Sequence, residues 1–553
     1  MNFGCARMLC SIFGVVTLLA VAPGIFAADI VKDVEGQVDG MGRQKSGVRI
    51  FLGIPFAKAP VGNLRWAPPQ PVDPWKGVKT AQTFGARCMQ AELTTDIVTR
   101  APQMSEDCLN LNVWTPAKAA AAKLPVLVYI YGGGFIAGDA SESRYDGEAL
   151  AKKGIVVVTL NYRLGLFGFM AHPELSKESR QSVSGNYGLF DQVAALEWVR
   201  RNIAAFGGDP KHVTIAGESA GSMSVSAQVV SPLAKGLFTG AIGESGSVVT
   251  GVFAIFSPLH EAESSGIEFE RKAGVDSLAA LRAQPATALE SLYERATASG
   301  PFDRSARVRF SPNVDGYFFP KRPGEILAAG EQNRVPTMAG SNSEESGYNA
   351  LLGEQTPTIE NYKKVLLEHF GERADQAFRL YPATTDGEAV KDAAQTLSTD
   401  MWVGYCTWKW LTVAAKTGNQ PAYYYFYAHP RPQLRPEALE YFRSWWTYSW
   451  NDKTYPRPMP RGAVHSAEIE YALGNLDGNK VYAWTPQDET VSKIMQSYFV
   501  NFVKTGNPNG AGLPEWPAYG NGQRMRIDAA SHAEPDIAKA RFEFLEETIF
   551  HQR

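Results

Sequence analysis

Two stretches of the chain, LPVLVYIYGGG at residues 124–134 and GIVVVTLNYR at residues 154–163, set apolar residues side by side without the alternation of a half-exposed strand. Strands of that kind must be covered on both faces, which points to the centre of a parallel sheet flanked by helices. The neighbouring segments keep to this plan. GLFDQVAALEWVRRNIAAFGG (188–208) has helical spacing and stops at Gly-Gly-Asp-Pro. HVTIAG (212–217) predicts the next strand and the residues after Ser219 the next helix; VPTMAG (335–340) and AYYYFYA (422–428) predict two more strands. Upstream, GQVDGMGRQKSGVRIFLGIPFAKAP (36–60) alternates between glycine turns and predicts an N-terminal antiparallel portion. The expected fold class is therefore α/β, with a large, mostly parallel central sheet and helices on both faces. No repeat, low-complexity tract or linker divides residues 28–553, so one domain is expected despite the length of 553 residues.

The first 27 residues follow another logic. One basic residue, Arg7, precedes an apolar run, then Pro23-Gly24 and the small pair Ala27-Ala28. That layout predicts a secretory signal peptide cleaved after Ala27, rather than a membrane anchor. Cys5 and Cys10 leave with it, and the mature chain keeps Cys88, Cys108 and Cys406. Cys88 and Cys108 can close a short loop that, once oxidised, stabilises by roughly 3 kcal/mol. Cys406, in MWVGYCTWKW, is expected to be a buried, inert thiol. No N-x-[ST] sequon is present. An exported bacterial protein, periplasmic or secreted, is the simplest expectation. With a net charge of −3 and no long run of one sign, neither nucleic acid nor an anionic membrane is an expected partner. No Cys/His cluster has metal-ligand spacing, so no metal is expected. Oligomeric state leaves no mark on the sequence.

Chemistry enters at VTIAGESAGSMSV (213–225), where Ser219 stands between Gly217 and Gly221. A bare turn would satisfy the pattern. A nucleophile elbow would also need a strand entering, a helix leaving and small neighbours around a strained serine, and HVTIA and GSMSVSAQVV supply both flanks. GESGS (243–247) is a near miss whose fifth residue is not glycine. Earlier, Gly132, Gly133 and Gly134 follow an apolar strand directly. Glycines let a loop bring backbone N–H groups to a reacting centre, and each donor to a tetrahedral oxyanion is worth about 3–4 kcal/mol. A phosphate loop would end in Lys-Ser or Lys-Thr; Phe135-Ile136 offers neither.

Together with SEDCLNLNVWTP (105–116), NYRLGLFGF (161–169) and GNPNGAGLPEWPAY (506–519), these motifs resemble the type-B carboxylesterase family, the cholinesterase-like branch of the α/β-hydrolases. The resemblance implies a cofactor-independent serine esterase acting on small-molecule esters, with lipase or amidase activity as the alternative and a non-catalytic binding protein as a remote one. Its catalytic order is serine, acid, histidine. That order passes over His172 and His212, and His465 in GAVHSAEIEYALG matches the family histidine. The acid falls on Glu345 in GSNSEESGY, with Glu344 as runner-up because Ser346 and Gly347 depart from the usual order. The oxyanion hole carries over as the N–H groups of Gly133, Gly134 and Ala220. Glu218 resembles a residue beside the site, without an assigned role. Arg65 with Glu106, and Arg163 with Asp191, correspond to structural ion pairs, and Cys88 and Cys108 to a disulfide-closed loop. That loop lacks the tryptophan that binds choline, which argues against choline esters. Ala306 and Val308 fall where relatives build the acyl pocket. Arg304, Arg307 and Arg309 could meet an anionic acyl group, and the aromatic EALEYFRSWWTYSW (437–450) could cap the site.

Overall fold

Each of the five residues of Val156–Leu160 is buried, and so are the last five of Leu124–Ile130. The two strands lie side by side, parallel, near the middle of a ten-stranded sheet. The computed structural model that contains them describes residues 29–91, 98–249, 256–297, 308–441, 447–450, 453–456 and 460–550. Outside that range lie the expected leader, Arg304, Ala306 and Arg307, and residues 442–446 of the aromatic segment. Across the sheet the order is His532–Pro535, Gln523–Ile527, Ala422–Tyr427, Thr337–Asn342, Gly240–Glu244, Gly208–Glu218, Leu124–Ile130, Val156–Leu160, Asn110–Thr115 and Arg49–Pro55. The interior pairings are parallel. Antiparallel partners close both edges. The antiparallel portion expected upstream is divided. Arg49–Pro55 joins the main sheet, while Asp29–Lys32 and Gln37–Gly40 form a small separate sheet with Val78–Thr80.

Helices pack around the sheet. Tyr187–Asn202 follows the expected span, tightens into a 3-10 turn at Ile203–Phe206, and ends at Gly207 with φ +84°, a conformation glycine adopts without strain. The following strand starts at Gly208, four residues before His212, because the register shifts between Leu124 and Val126 and tolerates Pro210 there. The strands at 335–340 and 422–428 are observed as Thr337–Asn342 and Ala422–Tyr427. The aromatic segment before His465 contributes most of the short helix Pro436–Tyr441 and the strand Thr447–Trp450, which pairs antiparallel with Lys453–Pro456 beyond it. Among the described residues no helix is long and apolar enough to cross a membrane.

The expected ion pairs are formed in the interior. Asp191 accepts from Arg163 through the backbone N–H, Nε and Nη2 at 3.0, 2.8 and 2.7 Å, and the two side chains are 0% and 3% exposed. Arg65 meets Glu106 through two bonds of 2.6 Å and donates to the carbonyls of Arg282 and Gln284. Cys88 and Cys108 are disulfide-bonded, and Cys406 is a buried free thiol pushed up to about 11 by burial. Deleting one partner of a fully buried pair strands the other charge without solvent. Asp191→Ala is expected to lower stability by about 3–5 kcal/mol, read as a lower denaturant midpoint at unchanged slope.

Candidate active site

Four adjacent strands of the sheet end at one place, and each delivers part of the site from its carboxyl end, where open parallel sheets bind ligands. Gly208–Glu218 runs into Ser219, which has φ +57° and ψ −121° and is followed at once by the helix Ala220–Val230. A non-glycine residue at positive φ costs on the order of 1–3 kcal/mol, so the turn persists only if its surroundings enforce it. They do. Ser219 N–H donates to the Glu244 carbonyl at 2.8 Å, and its own carbonyl accepts from Met223 at 2.9 Å. A Cβ on Gly217 would stand 2.5 Å from the Ile130 carbonyl oxygen, and one on Gly221 only 2.1 Å from it. The two glycines flanking the serine are there because the neighbouring strand's last carbonyl passes between them.

The loop after Leu124–Ile130 bends over this elbow. Gly133, Gly134 and Phe135 all take positive φ, at +103°, +66° and +63°. A Cβ on Gly132 would lie 2.5 Å from the Glu218 carbonyl oxygen and 3.1 Å from Ser219 Cβ, so the loop backbone rests on the serine turn. The Gly133 carbonyl accepts from Ile136 and Ala137, while the Phe135 carbonyl accepts from Gly165 at 2.7 Å. Gly133 is exposed and Gly134 half-buried, so this stretch of backbone is accessible from solvent. Ala220 opens its helix, so its N–H has no partner within it.

Glu345 follows Thr337–Asn342, and His465 sits on a loop stitched to the same strand end. Glu344 N–H donates to the Ala463 carbonyl at 2.8 Å, Ala463 N–H to Ser343 Oγ at 2.9 Å, and Asn342 Nδ2 to the Val464 carbonyl at 2.8 Å. The result is a continuous chain. His465 Nε2 is 2.9 Å from Ser219 Oγ, and Nδ1 is 2.6 Å from Glu345 Oε2. The other oxygen of Glu345, Oε1, accepts from Asn342 N–H at 2.6 Å and from Ser245 Oγ at 2.5 Å. Of the two adjacent glutamates, Glu345 reaches the imidazole, while the backbone of Glu344 ties the two loops together.

Three further side chains surround this chain. Glu218 Oε1 stands 3.4 Å from His465 Nε2 and accepts from Ser466 Oγ at 2.7 Å. Glu468 Oε2 accepts from Asn342 Nδ2 at 2.5 Å, and its Oε1 lies 3.3 Å from Ser245 Oγ. Burial, together with Glu218 and Glu345, pushes Glu468 up to about 8; Glu218 is also raised, by burial, against the opposing pull of His465. At His465 burial disfavours the imidazolium, but Glu218 and then Glu345 outweigh it, and the ring is held up at about 9.

Ser245 and Glu468 were not singled out from sequence. Ser245 belongs to the near-miss GESGS, and one strand over it takes the same positive φ as Ser219, +57°. Val308 and Arg309 are described, Val308 as fully buried. Among the described residues one spatial grouping has metal-ligand spacing, His172 with Glu174 and Glu270. It shares no residue with the constellation above. His172 there accepts the Glu174 N–H as a helix cap and faces Glu270 at 3.0 Å.

Residues 28–545 match the model of the carboxylesterase family. Fumonisin B1 esterase of Sphingopyxis macrogoltabida is 34% identical over 495 residues, covering 88% of this chain and 83% of that protein. The cocaine esterase of Homo sapiens is 33% identical over 549 residues, covering 93% and 90%. Among solved structures, a PNB esterase superposes with a TM-score of 0.75 at 31% identity, covering 93% of this chain and 98% of its own. The carboxylesterase of Geobacillus stearothermophilus gives 0.74 at 32%, covering 93% and 99%.

Proposed function

The chain belongs to the carboxylesterase family, has the α/β-hydrolase fold and is a carboxylic ester hydrolase, and we propose that it works through an acyl-enzyme formed on Ser219. His465 Nε2 takes the Ser219 proton while Glu345 holds Nδ1–H and balances the imidazolium. Ser219 Oγ attacks the ester carbonyl, and the N–H groups of Gly133, Gly134 and Ala220 hold the oxyanion. The alkoxide leaves with the proton from His465. Water then repeats the sequence and releases the acid. The unbroken path from Ser219 Oγ through the imidazole to Glu345, at 2.9 and 2.6 Å, carries this reading. A fluorophosphonate probe tests it: labelling of the wild-type protein at Ser219, found by peptide mapping, is expected, and labelling elsewhere or none refutes it. The Cys88–Cys108 bond supports an oxidising compartment, hence export.

A base must be neutral to accept a proton. With His465 held up at about 9, turnover is expected to keep rising as the pH approaches that value. The negative charge of Glu218 contributes strongly to that elevation, beside the charge and hydrogen bond of Glu345. Neutralising it in Glu218→Gln lowers the imidazole's pKa, so the acid limb of kcat/KM is expected to move down by about one unit or more. An unmoved limb would remove Glu218 from the electrostatics of the base.

A further inference from the structure

The imidazole of His465 is held at both nitrogens, and an aromatic ring packs against it as well. Trp402 lies against it with ring centroids 4.5 Å apart and planes inclined by 51°. Trp402 is half-buried, as are His465 and Ser219, so its ring borders the open side of the site rather than the core. The residue sits on a single π-helical turn, Asp400–Gly404, between the helices Glu388–Thr399 and Tyr405–Thr417. A π-turn inserts one extra residue, turns the side chains beyond it onto a new face, and is frequent at functional sites. This one is anchored at its base: Asp400 is buried, accepts from Tyr381 Oη at 3.1 Å and pairs with Arg541 at 2.8 Å. The helix leading into it is joined to the loop of the acid. Ser346 Oγ lies 2.7 Å from Ser398 Oγ, and Ser346 N–H donates to Thr399 Oγ1 at 3.3 Å. The helix end from which the turn of Trp402 continues therefore also holds the residue next to Glu345.

Resting on the reading of His465 as base, we propose that Trp402 is a positioning residue of the hydrolytic reaction, an aromatic cover that stabilises the protonated imidazole and fixes its plane between Ser219 and Glu345. An aromatic face attracts a cation set against it, and tryptophan does so most strongly. The cover acts when the ring is charged, which is the state reached as Ser219 attacks. The charged groups facing the ring from other elements are Glu218 at the end of its strand, Glu345 on the acid loop and Glu468 on the helix Ile469–Leu473's amino side. All three carry negative charge when ionised, so Trp402 adds to their field without reversing it.

The test compares pH profiles of kcat/KM for p-nitrophenyl acetate in wild-type, Trp402→Leu, Trp402→Met and Trp402→Phe proteins. The two aliphatic variants are expected to move the acid limb down by about half a pH unit and to lower the plateau about three-fold, with KM little changed. Trp402→Phe, which keeps a weaker aromatic face, is expected to fall between them and the wild type. A purely structural role would lower the rate at every pH without moving the limb. An unmoved limb in whichever aliphatic variant folds, or a limb in Trp402→Phe displaced as far as in the aliphatic ones, overturns the proposal. If neither aliphatic variant folds, an unmoved limb in Trp402→Phe overturns it. Fluorophosphonate labelling of the same proteins separates the two levels: labelling at Ser219 with an unmoved limb removes Trp402 alone, whereas loss of labelling in the wild type removes the catalytic reading beneath it.

Discussion

Ser219→Ala is expected to reduce kcat for a small activated ester by about six orders of magnitude while leaving the melting transition unchanged. The size of the loss follows from removing the atom that forms the acyl bond. His465 and Glu345 have nothing to activate without it, so their contributions disappear together with that of the serine. A residual rate of about 10³–10⁴ over water is expected to remain, because the backbone donors and the binding surface are untouched. The unchanged stability follows from the geometry. The strained φ of +57° is enforced by the Glu244 carbonyl and by Ile130 against Gly217 and Gly221, none of which involves the hydroxyl. Alanine keeps the Cβ and loses only Oγ, which bonds to His465 Nε2 at 2.9 Å. Retained turnover in purified, folded Ser219→Ala protein would locate the nucleophile elsewhere.

The elbow was legible in sequence because its constraint, although imposed by a distant strand, leaves a compact pattern around one residue. One carbonyl passing between positions 217 and 221 forbids a Cβ at either, and a strand and helix on fixed sides leave a readable pattern. Val156–Leu160 was legible for a similar reason: burial on both faces makes four of its five residues aliphatic, and the fifth, Thr159, is admitted because its hydroxyl donates to the Ala140 carbonyl and accepts from Asn112. Gly240–Glu244 was not. It contains two glycines in five residues, and a Cβ on Gly243 would stand 2.2 Å from Trp410 and 2.7 Å from Ser222 Oγ. Packing against a distant helix, rather than strand propensity, sets its composition. Ser245 and Glu468 escaped for a related reason: they meet Glu345 and Asn342 only once segments 100 and 126 residues apart are brought together. Ser346, which departs from the family order after the acid, finds its explanation in the hydroxyl of Ser398. The choice between Glu345 and Glu344 rested on likeness to a family, and it is the stitching of Glu344 N–H to Ala463 that turns Glu345 inward.

Glu345→Gln should lower kcat by about 10⁴, although the substitution changes one atom and keeps the volume. The amide has one acceptor and one donor end, and the surroundings dictate which goes where. The Oε1 position receives the backbone N–H of Asn342 at 2.6 Å, a donor that cannot reverse, so the amide oxygen must stay there. Ser245 Oγ, 2.5 Å from the same position, favours the same arrangement. The NH₂ group is then left facing His465 Nδ1 at the site of a 2.6 Å contact. Two donors cannot share that contact, so Nδ1 gives up its hydrogen and the neutral ring carries it on Nε2 instead. That tautomer points N–H at Ser219 Oγ and has no lone pair to receive the serine proton. The loss is therefore one of tautomer, not of packing, and the variant is expected to melt close to the wild type. The remaining activity should show its acid limb at lower pH, because Glu345 is one of the charges holding the imidazole up. Glu344→Gln, one residue away, is expected to leave kcat within about two-fold, since its backbone rather than its carboxylate joins the two loops. A Glu345→Gln enzyme within ten-fold of the wild type would mean that the imidazole takes its orientation from another group, and Glu218, 3.4 Å from Nε2, would then be the carboxylate to replace next.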